Sequence, residues 1–238
     1  MIVLSIDSSS KVATVALLKD DMLIAEYVLN DKREHSVLLM PMIENILKEN
    51  DLTVNDIDGY VVSKGPGSFT GLRIGMATIK GMSFGSNKPY ISLSSLDALA
   101  YSVSSFSGII CPIMDALRES VYTGLYKNNN DKLEIIMEPT PMDLIDLLNL
   151  LKEKKEEVVF TGDGLTKHKD FIKENFPKAH FAPNHLSIVR ASSLGELGLE
   201  LLKNGISDDP NSSPVYLKKP QAERELERRM RMSDEFNS

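Results

Sequence analysis

A chain of 238 residues can form one large domain or two lobes around a buried core, and 42% hydrophobic with 26% charged residues is ordinary globular composition. The net charge of -7 at pH 7 argues against the whole molecule binding nucleic acid by itself, because that affinity comes from clustered basic residues; a local basic strip stays possible. One cysteine, Cys111, excludes an internal disulfide and a multi-thiolate metal site, and its setting in GIICPIM marks it as core.

The opening MIVLSID is short and interrupted by Asp7, so it reads as neither a signal peptide nor a span. No other run reaches the ~18 apolar residues of a membrane helix. A cytoplasmic protein with no membrane partner is the expectation. IVLSID (2–7), KVATVALLKD (11–20) and MLIAEYVL (22–29) are apolar or alternating runs rich in β-branched residues, which predicts an antiparallel meander. In HSVLLMPMIENILKEN (35–50), Leu38, Leu39, Met42, Ile43, Ile46 and Leu47 recur at three and four, giving an amphipathic helix that Pro41 should kink. GYVVSKG (59–65) reads as a short buried strand, 70–85 as a helix, and PYISLSS (89–95) as a further strand-to-helix step.

The second half repeats the first. The stretch 109–136 aligns with 2–24: an apolar strand, an aspartate at its end, a small polar turn, then an alternating strand, with Asp7 falling on Asp115 and Val12 on Val121. Such a duplication predicts an α/β fold of two duplicated lobes facing one another across a cleft, 1–104 and 105–238. Further on, EEVVFTGDGLTKH (156–168) is a strand entering a Gly-Asp-Gly turn, and 190–205 is a helix with a glycine stop. From about 218 the chain becomes a charged tail, with six basic against three acidic residues over 218–232.

The stretch SKGPGSFTGLRIGMATIKG (63–81) fits no phosphate motif. Thr70 occupies the glycine position of a Walker loop, and Gly71 comes one residue too late for G-x-G-x-x-G. What fits is a strand leaving through a Gly-Pro-Gly turn, with Ser68 or Thr70 capping the next helix. Gly75 and Gly81 inside that helix each cost about 1 kcal/mol against alanine, so some close approach should offset them. Gly71, Gly75, Thr78, Met82 and Gly85 share one face nearly free of side-chain bulk. Two explanations fit it: a partner helix docks there, or the face packs on the chain's own sheet. On the first, Gly75→Arg should block docking and leave the fold largely intact.

A strand-Asp-turn-strand unit used twice resembles the actin, sugar-kinase and Hsp70 superfold (actin-like ATPase, ribonuclease H-like). There the two turns clasp phosphates and the aspartates lie near the metal. The resemblance implies a vestigial nucleotide cleft at Asp7, Ser8, Ser9 and Asp115, holding ATP or ADP weakly at most. The plainer alternative is that both aspartates only end strands and cap turns.

LSIDSSSKVATVAL, REHSVLLMPMIENIL, GPGSFTGLRIG, PIMDALRESVYTGLY and PVYLKKPQA, in this order over nearly the whole chain, resemble the TsaB (YeaZ) family of tRNA threonylcarbamoyladenosine biosynthesis proteins. Lys64 and Lys218 stand where that pattern leads one to expect arginine, and the tail past Gln221 is longer. The resemblance implies a noncatalytic partner of TsaD, the subunit that carries His-x-x-x-His on its first helix and transfers threonylcarbamoyl to adenosine 37 of tRNA. Here His35 is followed at 39 by Leu, so neither a metal nor any required cofactor is expected. That absence also argues against a zinc peptidase. His168, His180 and His185 are expected to face solvent. Docking by the helices near 35–50 and 70–85 is implied, through His35, Leu38, Leu39, Met42, Ile46, Gly71, Gly75, Thr78 and Met82. TsaE would join the complex and TsaC supply the threonylcarbamoyl-adenylate. A homodimer is expected without TsaD, and tRNA contact would be indirect, with a tail strip as a weaker addition. An active ATPase or phosphotransferase is the alternative.

Overall fold

Among the residues described by the computed structural model (1–31, 33–116, 119–130 and 132–218), ten strands divide equally between two sheets. The first contains β1 (Ile2–Asp7), β2 (Ala13–Lys19), β3 (Met22–Leu29), β4 (Gly59–Gly65) and β5 (Tyr90–Ser94), in the order β3-β2-β1-β4-β5. The second contains β6 (Ile109–Asp115), β7 (Ser120–Asn129), β8 (Lys132–Asp143), β9 (Val158–Thr161) and β10 (Ala179–Phe181), in the order β10-β9-β6-β7-β8. Read from the other edge, the second order reproduces the first. Each sheet is an antiparallel meander of three strands extended by two parallel strands. The duplication legible in the sequence is therefore a duplication of topology.

Helices fill the space around and between the sheets. They are α1 (His35–Lys48), α2 (Phe69–Ser86), α3 (Ser95–Tyr101), α4 (Leu144–Lys154), α5 (Leu165–Asn175) and α6 (Ala191–Lys203). Side chains alternate across a strand, so neighbouring residues of β1 enter different cores. Leu4 and Ile6 pack with Leu39, Ile46 and Met76 of α1 and α2, whereas Val3 packs with Leu99, Tyr126, Leu194 and Leu199 in a cluster shared by both sheets, α3 and α6. A third cluster joins the outer face of the second sheet to α4 and α5. Although α6 comes late in the chain, it lies against β1, β2, β4 and β5 of the first sheet. Its start is tied to β3 by Glu26, whose side chain is 4% exposed: Oε1 accepts from Ser192 N–H at 3.0 Å and Oε2 from Arg190 Nε at 3.0 Å. Past α6, Gly205 takes φ +76°, the expected glycine stop.

The helix α1 runs unbroken through Pro41, which lies on its exposed side. No helix among the described residues is long and apolar enough to cross a membrane. Apart from Lys218, the charged stretch 218–232 lies outside the described residues.

Candidate functional site

The glycine-rich stretch turns inward. Ser68 caps α2, its Oγ accepting from Gly71 N–H at 3.2 Å, while its own N–H donates to the Ser9 carbonyl at 2.6 Å. Ser8 Oγ donates to the Gly71 carbonyl at 2.8 Å. A Cβ added at Gly71 would stand 2.0 Å from the Ser8 carbonyl oxygen, and one at Gly75 would stand 2.4 Å from Ser8 Oγ. The bare helical face thus exists so that α2 can lie directly on the turn between β1 and β2. This overturns the expectation that Gly71 and Gly75 await a partner, and with it the expectation that Gly75→Arg spares the fold. A helix turns about 100° per residue, which puts Thr78 and Met82 in line with these glycines but further along α2, past the turn at Ser8, where both are half-buried.

The α1 residues need the same correction. Leu38, Leu39, Met42 and Ile46 are 3%, 1%, 6% and 0% exposed, embedded in the chain's own core. Apolar spacing identifies a buried stripe but does not tell a partner's core from the chain's own. His35 is half-buried, its Nε2 2.7 Å from the Ser10 carbonyl, at the wall of the cleft instead of on a docking face. What α1 and α2 present to solvent is a different set. On α1 it includes Val37 (58% exposed) and Met40 (52%); on α2 it includes Phe84 (92%) with the exposed small residues Ala77, Gly81 and Gly85. Nothing lies within 4 Å of a Cβ added at Gly81 or Gly85. One sequence signal pointed here: at about 100° per residue Phe84 falls outside the stripe of Leu72, Met76 and Ile79, roughly 110° around the helix from its centre.

Between the lobes lies an open cleft of about 1020 Å³. Ser9 and Lys11 reach it from the first lobe, Asp115 and Asp163 from the second, and Tyr216 and Lys218 from the segment after α6. Ser9 and Asp115 are therefore where the sequence reading put them. Asp7 and Ser8 are not: both are 0% exposed and neither lines the cleft, because the turn carrying them is clamped under α2. Asp7 Oδ1 accepts from Ser9 N–H at 3.2 Å, and its Oδ2 is buried with no partner among the described residues. Burial pushes the Asp7 carboxyl up to about 6, against the easing effect of the nearby Ser63 and Ser9 hydroxyls and of His35. Asp115, its equivalent at the end of β6, is partly exposed, with Lys167 Nζ at 3.6 Å. Equivalent positions thus have opposite environments.

Asp163, in the Gly-Asp-Gly turn after β9, had no assigned role in the sequence reading, although the turn itself was visible. Burial raises its carboxyl, opposed by the Asp115 N–H. Of the outlying histidines, His180 and His185 are exposed as expected, but His168 is 5% exposed. Its imidazole is held below the usual range by burial and then by Lys167, so it is a neutral core residue of α5.

The family model described as "TsaD: tRNA N6-adenosine threonylcarbamoyltransferase" matches residues 22–226. The "tRNA threonylcarbamoyladenosine biosynthesis protein TsaB" of Bacillus subtilis (strain 168) is 38% identical over 226 residues, covering 94% of this chain and 96% of that protein. The chain belongs to the TsaB family. The solved structure "YeaZ from Pseudomonas aeruginosa" superimposes with a TM-score of 0.73 at 22% identity, covering 91% of this chain and 99% of that one. At 11% identity, the ROK hexokinase of Thermus thermophilus gives a TM-score of 0.51 over 86% of this chain and 100% of its own. These likenesses carry the fold, which is the actin-like, sugar-kinase architecture expected from the doubled strand-Asp-turn unit. The TsaB membership agrees with the motifs quoted from both halves of the chain.

Proposed function

We propose that this protein is a noncatalytic partner of a TsaD-type threonylcarbamoyltransferase in the formation of N6-threonylcarbamoyladenosine at position 37 of tRNA. The observation that carries the reading is the uncovered outer side of α1 and α2, where Phe84 on α2 is 92% exposed and Val37 and Met40 on α1 are 58% and 52% exposed. An aromatic ring left in water next to small residues on a helix is a surface made for another helix. The corrected docking set is therefore Val37, Met40, Ala77, Gly81 and Phe84, in place of the buried residues named from periodicity. The two helices would form a four-helix bundle with their counterparts on TsaD, or with a second copy of this chain when TsaD is absent. TsaE would join at the junction, TsaC would supply the activated threonylcarbamoyl group, and tRNA would be met through the complex in the cytoplasm.

A partner role also suits what the first helix lacks. A metal held at i and i+4 needs histidine at 35 and 39, and position 39 is a leucine sunk in the core. With Asp7 sealed, an ATPase mechanism would have no carboxylate from the end of β1 facing the cleft, which disfavours the phosphotransferase alternative. Nucleotide in the cleft would be an accessory at most.

Reconstitution tests the proposal. TsaC, TsaD and TsaE are incubated with tRNA, threonine, bicarbonate and ATP, with and without this protein, and threonylcarbamoyladenosine is counted by mass spectrometry. Modification should depend on adding the chain back. Equal modification without it, or turnover of ATP by the lone chain at enzymatic rates, would reject the reading.

A further inference from the structure

The segment after α6 does more than lead to the tail. Residues 206–218 have no regular secondary structure, yet they are fastened along the first lobe. Asp208 N–H donates to the Tyr90 carbonyl at 2.8 Å, Tyr90 Oη donates to the Asp209 carbonyl at 2.9 Å, and Lys80 Nζ donates to the Ser212 carbonyl at 2.9 Å. Val215 N–H then donates to the Lys64 carbonyl at 2.7 Å, at the end of β4. A Cβ on Gly65 would stand 2.7 Å from the Val215 carbonyl oxygen, so the segment presses on the strand's glycine terminus.

One residue later the segment enters the cleft. The Tyr216 ring packs on Phe69 at the start of α2, centroids 4.4 Å apart, and Arg73 Nε donates to Tyr216 Oη at 3.0 Å. The Arg73 guanidinium lies 4.0 Å from the Phe69 centroid, completing a stack of cation and two rings. Lys218 then crosses to the second lobe, where its Nζ donates to the Ala116 carbonyl at 3.1 Å, just past β6. Val215, Tyr216, Leu217 and Lys218 all line the cleft.

The chain already passes between lobes twice, through 102–108 and 182–190. Two crossings define an axis about which lobes can open, and a third attachment at the cleft removes that freedom. We propose that residues 206–218 are a clasp that holds the two lobes at a fixed opening, fastened by Tyr216 against Phe69 and Arg73 and by Lys218 on the second lobe. The clasp seats on the first turn of α2, so it also ties the opening of the cleft to the position of that helix. The inference concerns the lone chain and stands whether or not the proposed partner role holds.

Interlobe distances test it. Cys111 is fully buried, so spin labels can be placed at Ser36→Cys on α1 and Thr166→Cys on α5, both exposed positions, in the full chain. Pulsed electron paramagnetic resonance should give one narrow distribution for the parent. Tyr216→Ala should give a broader one shifted to longer distance, and so should Lys80→Met, which frees the segment upstream without touching the cleft. A pair confined to the first lobe and away from the clasp's seat, Ser36→Cys with the exposed Asn55→Cys ahead of β4, should not change. Superimposable interlobe distributions in both variants overturn the clasp, and so does equal broadening of the within-lobe pair, which would mean general loosening.

Discussion

The carbonyl of Ser8 lies over the Cα of Gly71 so closely that no side chain fits between them. That approach fixes the turn after β1, seals Asp7 beneath α2, and decides which side of α2 is left for other molecules.

Substitution at this contact should therefore act on stability. Gly71→Ala places a methyl against backbone, which cannot yield as a flexible side chain would, and overpacking of this kind costs roughly 1–3 kcal/mol. Urea unfolding should show the midpoint falling accordingly, and a midpoint equal to the parent's would contradict the contact.

Gly81 should respond in the opposite direction. A Cβ there meets nothing within 4 Å, and alanine is favoured over glycine in an exposed helix interior by about 1 kcal/mol. Gly81→Ala is expected to raise the melting temperature. Gly81→Arg and Phe84→Asp should fold like the parent yet lower TsaD binding in pull-down or calorimetry by at least about tenfold, the effect of roughly 1.4 kcal/mol. Retained binding by both variants would remove α2 from the interface.

The buried carboxyl of Asp7 predicts a pH dependence. Its folded value, about 6, lies above the unfolded 3.8, so the folded state holds the proton more tightly. The resulting stabilisation is complete below the unfolded value and is lost as pH rises through about 6. Asp7→Asn abolishes this loss, so the variant should be more stable than the parent at pH 8, by an amount on the order of 2–3 kcal/mol, with the advantage shrinking toward pH 4. Denaturation of both proteins at the two pH values checks the sign.

Glu26 joins β3 to the start of α6, where no residue of the helix's own start caps it. Glu26→Ala leaves Arg190 and Ser192 without their acceptor and should cost about 3 kcal/mol, whereas Glu26→Gln keeps an acceptor and should cost less. Hydrogen exchange at the amides of Ser192 and Ser193 should quicken in the alanine variant, and unchanged exchange would show that the carboxylate does not hold the helix end.

Local patterns in the chain established the meanders, the amphipathic α1, the capped start of α2, the glycine stop after α6 and the doubled strand-Asp-turn unit. Each of these depends on periodicity or on the chemistry of a few adjacent residues, which a sequence displays directly. What tertiary structure alone decided was who faces whom. Glycines at 71 and 75 have the same spacing whether the neighbour is a partner's helix or the turn at Ser8, and Leu39 is equally apolar in either core. Asp7 and Asp115 look alike in sequence, yet one is sealed and the other opens on the cleft, because solvent access depends on elements far apart in the chain. The segment 206–218 carries no pattern at all, since its role comes from contacts with Tyr90, Lys64 and Phe69 more than a hundred residues earlier.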